Sequence, residues 1–183
     1  TEIESTTQLQ LAINKIYNWT DKWHIKLNET KSVHINFTNK KINYLPIYIN
    51  SIKVPYSNTA KYLGMTLDTK LRWSAHVKKK REELDLKFQN MHWLMGKQSA
   101  LSAPNKILLY KQILKPIWTF GIQLWGCTSY SNTAHIQRFQ TKALKHAVCA
   151  PWYIRTQDLE RDLNIDSVTV TINKFAKSHV ERL

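Results

Sequence analysis

The chain has few of the residues on which several classes of protein depend. Its 183 residues include two cysteines, Cys127 and Cys149, with no CxxC spacing. This excludes a disulfide-built scaffold and a cysteine zinc site, and makes a reduced intracellular compartment the default expectation. The four glycines form neither GxGxxG nor GxxxxGK, which excludes these glycine-rich phosphate loops. No apolar run reaches about 18 residues, so the sequence predicts no membrane span.

Residues that could form a catalytic centre are also scarce. The sequence has no GxSxG motif and no Asp-Asp pair, and its seven histidines are scattered. His135 and His146 share a predicted helix face, but no third ligand is spaced for metal binding, so we interpret them as surface or nucleic-acid contacts. Asp158, Asp162 and Asp166 are interpreted as helix-start charges. Because paired-metal chemistry needs neighbouring carboxylates, the residues alone predict neither an active site nor a metal site.

Positive charge is what the chain has in excess. It carries 27 Lys and Arg against 13 Asp and Glu, a net charge of +14. Residues 71–155 hold 14 basic and three acidic residues, a net of +11, and the densest point is the run KKKR at residues 78–81. Such a surface attracts phosphates by releasing their counterions. The distribution predicts a polyanionic partner, either nucleic acid or an acidic membrane surface.

Hydrophobic periodicity predicts a mixed first part and a helical second part. Apolar residues recur at helical spacing over 5–26, and alternation over 33–37 predicts a strand. Further helices are predicted over 74–95, from Pro104 to Pro116, and over 132–149, 156–163 and 167–182. Strands followed by a run of helices are typical of an α+β fold with two subdomains, here 1–70 and 71–183.

Two further strand features are predicted in the first part. Residues 47–49 and 52–54 flank Asn50-Ser51, which is the spacing of a hairpin with a two-residue turn. Residues 60–68 predict one more strand. Gly64 lies within it, so we expect a bulge or the close approach of another backbone at that position.

Three stretches of the chain, in their order and spacing, carry a family resemblance. They are LNETKS at residues 27–32 after a helix with Trp19 and Trp23, KYLGMTLD at 61–68 followed by WSAHV at 73–77, and the apolar region 110–126. Together they resemble the reverse transcriptases of non-LTR retrotransposons of the jockey or LINE type, over nearly the whole chain. The resemblance implies a small antiparallel strand-and-helix remnant of the palm over 1–70, followed by an all-helical, thumb-like bundle over 71–183.

Within the palm remnant, the resemblance implies two functional elements. Residues 5–37 resemble motif D, whose lysine corresponds to Lys31 and is expected to protonate the leaving pyrophosphate or to sense the nucleotide. A lysine suits this role as a mobile donor on a flexible stem. Residues 60–67 resemble the primer grip, with Tyr62, Leu63 and Gly64 at its centre. Tyr62 is either a core residue or a platform for a base or sugar, and the core is the preferred interpretation.

In the helical part, the resemblance implies a thumb that holds the primer–template duplex, either RNA–DNA or DNA. Such a duplex is held through phosphates and 2′-hydroxyls with little reading of bases. The run of residues 78–81 supplies the leading phosphate contacts, and two further basic groups follow on later helices. The predicted contacts are Lys78, Lys79, Lys80, Arg81, Lys106, Lys111, Lys115, Arg138, Lys142 and Lys145.

Several parts of the family are missing from this sequence. The fingers, the first catalytic aspartate and the Tyr/Phe-Ala-Asp-Asp hairpin are not found in it. In the family those aspartates hold two divalent metals, expected to be Mg²⁺. We therefore expect no cofactor within this chain, no nucleotide addition by the chain alone, and an interaction with the remaining fingers and palm. The family implies an intracellular location, in the nucleus or the cytoplasm, and no membrane partner.

Two other functions remain open from the sequence. The chain could be a free-standing basic RNA- or DNA-binding protein. It could also be a helical fragment that binds a protein partner through an exposed apolar face, for which its seven tryptophans provide material.

Overall fold

The computed structural model describes residues 2–39 and 45–182. The chain divides into two compact units, Thr1–Leu71 and Arg72–Leu183. The first combines one long helix with short antiparallel strands, and the described part of the second is helical. The predicted α+β class is therefore confirmed.

The first unit begins with helix α1, Glu2–Lys22, which ends four residues earlier than the sequence predicts. A short 3-10 helix, Glu29–Lys31, follows, and the Asn28 side chain accepts a hydrogen bond from the Lys31 backbone N–H. The strand predicted at 33–37 is wrong, because the structure has only one parallel bridge there, between His34 and Tyr56. The backbone of His34 bonds to Pro55 O and to the N–H of Ser57. Pro55 has no N–H to extend the ladder toward Ser32, and the Thr59 N–H, which would extend it toward Phe37, bonds to the Ser57 hydroxyl instead.

The predicted two-residue hairpin is confirmed. Strand β1, Tyr48–Ile49, pairs antiparallel with β2, Ile52–Lys53. The turn residues Asn50 and Ser51 have φ of 47° and 63°, the positive values that a type I′ turn requires. The Gln10 side chain of α1 bonds to both the N–H and the C=O of Tyr48, at 2.9 and 2.8 Å, and so holds the hairpin against the helix.

The single strand predicted over 60–68 is a second hairpin instead. Strand β3, Thr59–Tyr62, pairs antiparallel with β4, Met65–Asp68. The chain reverses at Leu63 and Gly64, with φ of 46° and 78°. Gly64 therefore serves a tight turn, for which glycine carries no Cβ penalty, and is not a bulge within a strand.

The second unit contains a series of helices joined by short connections. They are α2, Ser74–Asn90; α3, His92–Met95; α4, Ala103–Leu109; α5, Lys115–Thr119; α6, Ile122–Trp125; α7, Tyr130–Ala147; α8, Thr156–Asp162; and α9, Val168–Val180. A π-helical turn, Tyr110–Leu114, joins α4 to α5, so the chain stays helical through Pro116. The predicted helix over 74–95 is interrupted at Met91, where α2 ends and α3 begins.

The core of the second unit is aromatic. Tyr110, Trp118, Trp125 and Phe139 are fully buried, and they come from α5, α6, α7 and the π-helical turn. The apolar stretch over 117–126, for which the sequence allows a buried helix or a buried connector, forms α6 and the end of α5, separated by a turn at Phe120 and Gly121. This core fixes α2 and α7 side by side.

Candidate nucleic-acid interface

Two basic residues, Arg81 of α2 and Lys142 of α7, lie along the seam between these two helices. The Arg81 Nη1 donates to the His135 carbonyl at 2.8 Å, and the Lys142 ammonium lies 3.9 Å from the carboxylate of Asp85. Further along, the Lys142 ammonium lies 5.8 Å from the ring centre of Phe88. Contacts follow the same order on both helices, so α2 and α7 run in the same direction.

Two of the four cations in the run at 78–81 are free to meet a ligand. Lys78 and Lys79 are exposed, and within the described part of the chain neither forms an ion pair. Lys80 is less exposed, pairs with Glu83 at 3.0 Å and lies over the ring of Phe120. Within the run at 78–81, the free charge is therefore concentrated at Lys78 and Lys79.

Arg81 is engaged by the protein itself. Its Nε and Nη2 donate to the two oxygens of Asp85 at 2.7 and 3.2 Å, and its Nη1 donates to the His135 carbonyl. Its guanidinium also lies 5.4 Å from the centre of the Phe139 ring. Little of its donor capacity remains for a phosphate, so its position favours a role in joining α2 to α7.

Lys106 is misplaced in the predicted set of phosphate contacts. Its exposed fraction is 4%, and its ammonium donates to the Gly96 carbonyl at 2.7 Å. A buried ammonium that is already hydrogen-bonded does not reach a phosphate in solvent. The sequence could not distinguish it from Lys111, because both fall on the same predicted helix and differ only in which face the core covers.

Replacing Lys106 by methionine tests this structural role. The stem remains packed while the charged hydrogen bond to Gly96 O is lost, so we expect a loss of about 1.5–3 kcal/mol in unfolding free energy. The salt dependence of nucleic-acid binding should not change, since no phosphate contact is removed. Denaturant unfolding measures the free energy, and a salt titration measures the slope of log K against log salt. A shallower slope in the variant would show that Lys106 does contact a phosphate.

Lys111 and Lys115 lie near another group of charges. Burial lowers the pKa of Lys115, the neighbouring Lys111 and Lys174 lower it further, and Asp166 opposes them. Lys174 pairs with Asp166 at 2.6 Å. These contacts place Lys115 beside the start of α9, and the structure does not group it with the seam between α2 and α7.

The basic residues predicted on α7 have different surroundings. Arg138 and Lys142 are exposed, whereas the Lys145 ammonium donates to the Trp152 carbonyl at 2.7 Å. A carbonyl is neutral, so this bond orients Lys145 without cancelling its charge.

A cleft of about 990 Å³ opens beside Lys142 and Lys145. Its other wall carries Trp93 and Lys97, which are not among the nucleic-acid contacts predicted from the sequence. The available signal was the Gly96 that ends α3, since it predicts a chain reversal that leaves its neighbours at the surface.

In the first unit, the residues expected to contact the primer are at the surface. Lys31 is exposed at the end of the 3-10 helix. Tyr62 and Leu63 are 61% and 70% exposed, so the preferred interpretation of Tyr62 as a core residue is wrong. The reason is that Tyr62 ends β3 next to the turn at Leu63 and Gly64, where no element of the described ranges covers it. Gly64 completes that turn.

The described residues bring no three His, Cys, Asp or Glu side chains close enough to hold a metal ion. They therefore do not provide a site for the two divalent metals implied by the resemblance. Within the same residues, no helix has the length and hydropathy needed to cross a membrane.

Comparison with known proteins shows which class of protein the chain is similar to. The chain is similar over its whole length to parts of RNA-directed DNA polymerases from mobile elements. It is 39% identical over 182 residues to the probable RNA-directed DNA polymerase from transposon X-element of Drosophila melanogaster, covering 100% of this chain and 20% of that protein. It is 31% identical over 181 residues to the RNA-directed DNA polymerase from mobile element jockey of the same species, covering 99% of this chain and 20% of the relative.

A third relative, the probable RNA-directed DNA polymerase from transposon BS of Drosophila melanogaster, is 31% identical over 182 residues, with 98% and 20% covered. The chain is thus a homologue of one segment of the non-LTR retrotransposon RNA-directed DNA polymerases, which confirms the resemblance seen in the motifs. It spans about one fifth of the length of these relatives. No protein-family model and no solved structure matches the chain.

Proposed function

We propose that this chain is the palm-end and thumb portion of a retrotransposon RNA-directed DNA polymerase, and that its helical unit holds the primer–template duplex. The observation that carries the proposal is the set of exposed cations on α2 and α7, where Lys78 and Lys79 have no acidic partner among the described residues. The names of the relatives indicate the reaction, which is RNA-directed DNA synthesis, and the positive charge indicates binding through nucleic-acid phosphates.

The chemistry of this surface suits a duplex of any sequence. Lysine ammonium groups neutralise phosphates as mobile point charges and read no base edges. A polymerase must hold each new base pair equally well, so contacts to the phosphate backbone serve it better than base recognition. In this proposal Lys78, Lys79 and Arg138 contact phosphates, while Arg81 and Asp85 keep the two helices in register.

The first unit would support the primer end and the incoming nucleotide. Lys31 is exposed on a loop that the Asn28 side chain orders, so its ammonium is free to reach a phosphate oxygen. Tyr62 and Leu63 project from a tight hairpin, the arrangement a primer grip needs. Nucleotide addition itself would use two divalent metals held by aspartates in the rest of the polymerase.

The exposed apolar residues of α1 are the proposed contact with that rest of the polymerase. The relatives are about five times longer than this chain, which leaves ample protein to cover this helix. An apolar set of this size on one helix is typical of an interaction surface. The exposed residues are Ile3, Leu9, Leu11, Ile16 and Trp19, with Trp23 directly after the helix.

A salt titration tests the proposed duplex surface. Changing Lys78, Lys79 and Arg138 to glutamine should weaken binding to an RNA–DNA hybrid and reduce the slope of log K against log salt by roughly 0.9 for each lost phosphate contact, the value for B-form DNA. Fluorescence anisotropy at several salt concentrations measures the slope.

The matched control changes Lys15, Lys22 and Lys26 to glutamine. These side chains are also exposed and the net charge falls by the same amount, but they belong to the first unit. We expect the control to keep the slope of the unmodified chain. Equal slopes in the two triple variants would mean that net charge, and not this surface, governs binding, and the proposal would fail.

A further inference from the structure

The cleft beside Lys142 has walls that the protein holds in place. One wall is the segment after α3, where the buried Lys106 ammonium donates to the Gly96 carbonyl at 2.7 Å. A Cβ on Gly96 would lie 2.9 Å from the His92 carbonyl, so this position accepts no larger residue without a shift of the backbone. The other wall follows α7, where Lys145 bonds to the Trp152 carbonyl. Both walls are therefore fixed before any ligand arrives.

The cleft carries positive charge with little to oppose it. Lys97, Lys142 and Lys145 line it, and no acidic residue is among its lining residues in the described chain. The nearest carboxylate, Asp85, lies 3.9 Å from Lys142 but is already held by both arms of Arg81. Its charge is therefore largely neutralised, and the three lysines remain available to a phosphate.

Two histidines form the floor of the same cleft. The ring centres of His92 and His146 lie 4.8 Å apart, and none of the described residues forms a hydrogen bond with the buried Nε2 of His146. Burial lowers the pKa of His146, with further contributions from His92, Lys106 and Lys142. The two rings are tilted by 42° to each other and line the cleft beside the cations.

Trp93 is the feature that selects between kinds of nucleic acid. Its side chain lines the cleft and is 73% exposed, so the indole face is open to solvent. An indole stacks on any base, but only an unpaired base offers its face, because a duplex already stacks its own bases. Cations beside an open aromatic ring are the usual features of single-strand binding.

We propose that this cleft binds an unpaired nucleotide of a single strand, with its phosphate at Lys97, Lys142 and Lys145 and its base on Trp93. The inference rests on the proposed function in that both need nucleic acid at the helical unit. It goes further by assigning a separate site to the strand that is not paired. The volume of about 990 Å³ lies in the roughly 300–1,000 Å³ range of small-ligand sites and accommodates one nucleotide.

The test compares single-stranded and paired ligands on the full chain. Fluorescence anisotropy follows the binding of a labelled oligodeoxythymidylate of about 12 nucleotides and of a blunt RNA–DNA hybrid. Trp93→Ala should weaken single-strand binding roughly 5- to 150-fold, which corresponds to the 1–3 kcal/mol of one base stack. Hybrid binding should stay within about twofold, the scatter of such a measurement.

Two matched variants separate stacking from structural damage. Trp93→Phe keeps an aromatic face and should recover most of the affinity for the single strand. Trp19→Ala removes another exposed tryptophan, on α1 of the first unit, and should leave that affinity unchanged. Lys97→Gln should weaken single-strand binding and make it less dependent on salt.

The outcomes distinguish the two proposals. Equal affinities of Trp93→Ala and Trp19→Ala for the single strand would overturn the cleft proposal. So would a parallel loss of hybrid and single-strand binding in Trp93→Ala, since the cleft would then belong to the duplex surface. An unmodified chain that binds the single strand through Trp93 but does not bind the hybrid would support the cleft and overturn the proposed duplex function.

Discussion

Replacing Gln140 by leucine is expected to lower the unfolding free energy of the helical unit by roughly 3–5 kcal/mol. Gln140 is fully buried, and its side chain joins three elements. Its Oε1 accepts from the Tyr110 hydroxyl at 2.6 Å, and its Nε2 donates to Glu160 Oε1 and to the Asp166 carbonyl, both at 2.9 Å. Leucine fills the space but removes the partner of the Tyr110 hydroxyl and of the Asp166 carbonyl, while Glu160 keeps its bond to Gln137. Each unsatisfied buried group costs about 1–3 kcal/mol.

The hydrogen-bond directions support this assignment. Burial raises the pKa of Tyr110, so its hydroxyl stays protonated and acts as the donor to Gln140. The neighbouring Gln137 also bonds to Glu160, at 2.7 Å, and accepts from the Val168 N–H. The start of α9 and the end of α8 are thus attached to α7 through two glutamines, and losing Gln140 removes the more buried one.

Chemical denaturation of the full chain, followed by near-ultraviolet circular dichroism, measures the loss. Tyr110→Phe should also destabilise, because it leaves the Gln140 oxygen unpaired. The double variant should be less destabilised than the sum of the two single variants, by about 0.5–3 kcal/mol, as expected for contacting residues. Gln123→Leu, at an exposed position of α6, is the control and should stay within about 0.5 kcal/mol. Strict additivity of Tyr110→Phe and Gln140→Leu would contradict the network.

Acidification from pH 7 to pH 4 is expected to remove roughly 3 kcal/mol of stability through His76 alone. His76 is buried in the first turn of α2, next to the rings of Trp73 and Trp125. The pKa of His76 is lowered from 6.5 to about 4, chiefly by burial and also by the charges of Lys80 and Lys79, with Glu83 opposing them. On acidification, His76 is therefore protonated near pH 6.5 in the unfolded chain but only near pH 4 in the folded chain. The free energy of unfolding therefore decreases as the pH is lowered through that window, because the unfolded state binds more protons than the folded state.

Unfolding free energies measured between pH 7 and pH 5 isolate this effect before most carboxylates titrate. His76→Phe keeps a ring of similar size and removes the titrating group, so its curve should be flatter than that of the unmodified chain by about 2 kcal/mol over this range. His135→Gln, at an exposed position on α7, should keep the original slope. Some slope should remain in His76→Phe, since burial also lowers the pKa of His146. An unchanged slope in His76→Phe would show that His76 is not the group responsible.

Local patterns predicted the elements that depend on neighbours in sequence. Asn50 and Ser51 accept positive φ, so the first hairpin and its turn are confirmed. The second hairpin was missed because Leu63-Gly64 lies inside an apolar run, which looks like one continuous strand. The alternation over 33–37 does not produce a strand because the opposite segment cannot continue the ladder on either side of the bridge between His34 and Tyr56. Pro55 has no N–H on one side, and on the other the Thr59 N–H bonds to the Ser57 hydroxyl.

By itself, the sequence determined the α+β class, the helical second part, the concentration of charge over 71–155 and the family resemblance. The tertiary structure decided which cations remain free. It buried Lys106, engaged Arg81 with Asp85, and placed Trp93 and Lys97 across a cleft from Lys142. The physical reason is that a helical period says which residues share a face, whereas the partner that covers that face comes from another element. For Arg81 that partner is the His135 carbonyl, 54 positions away.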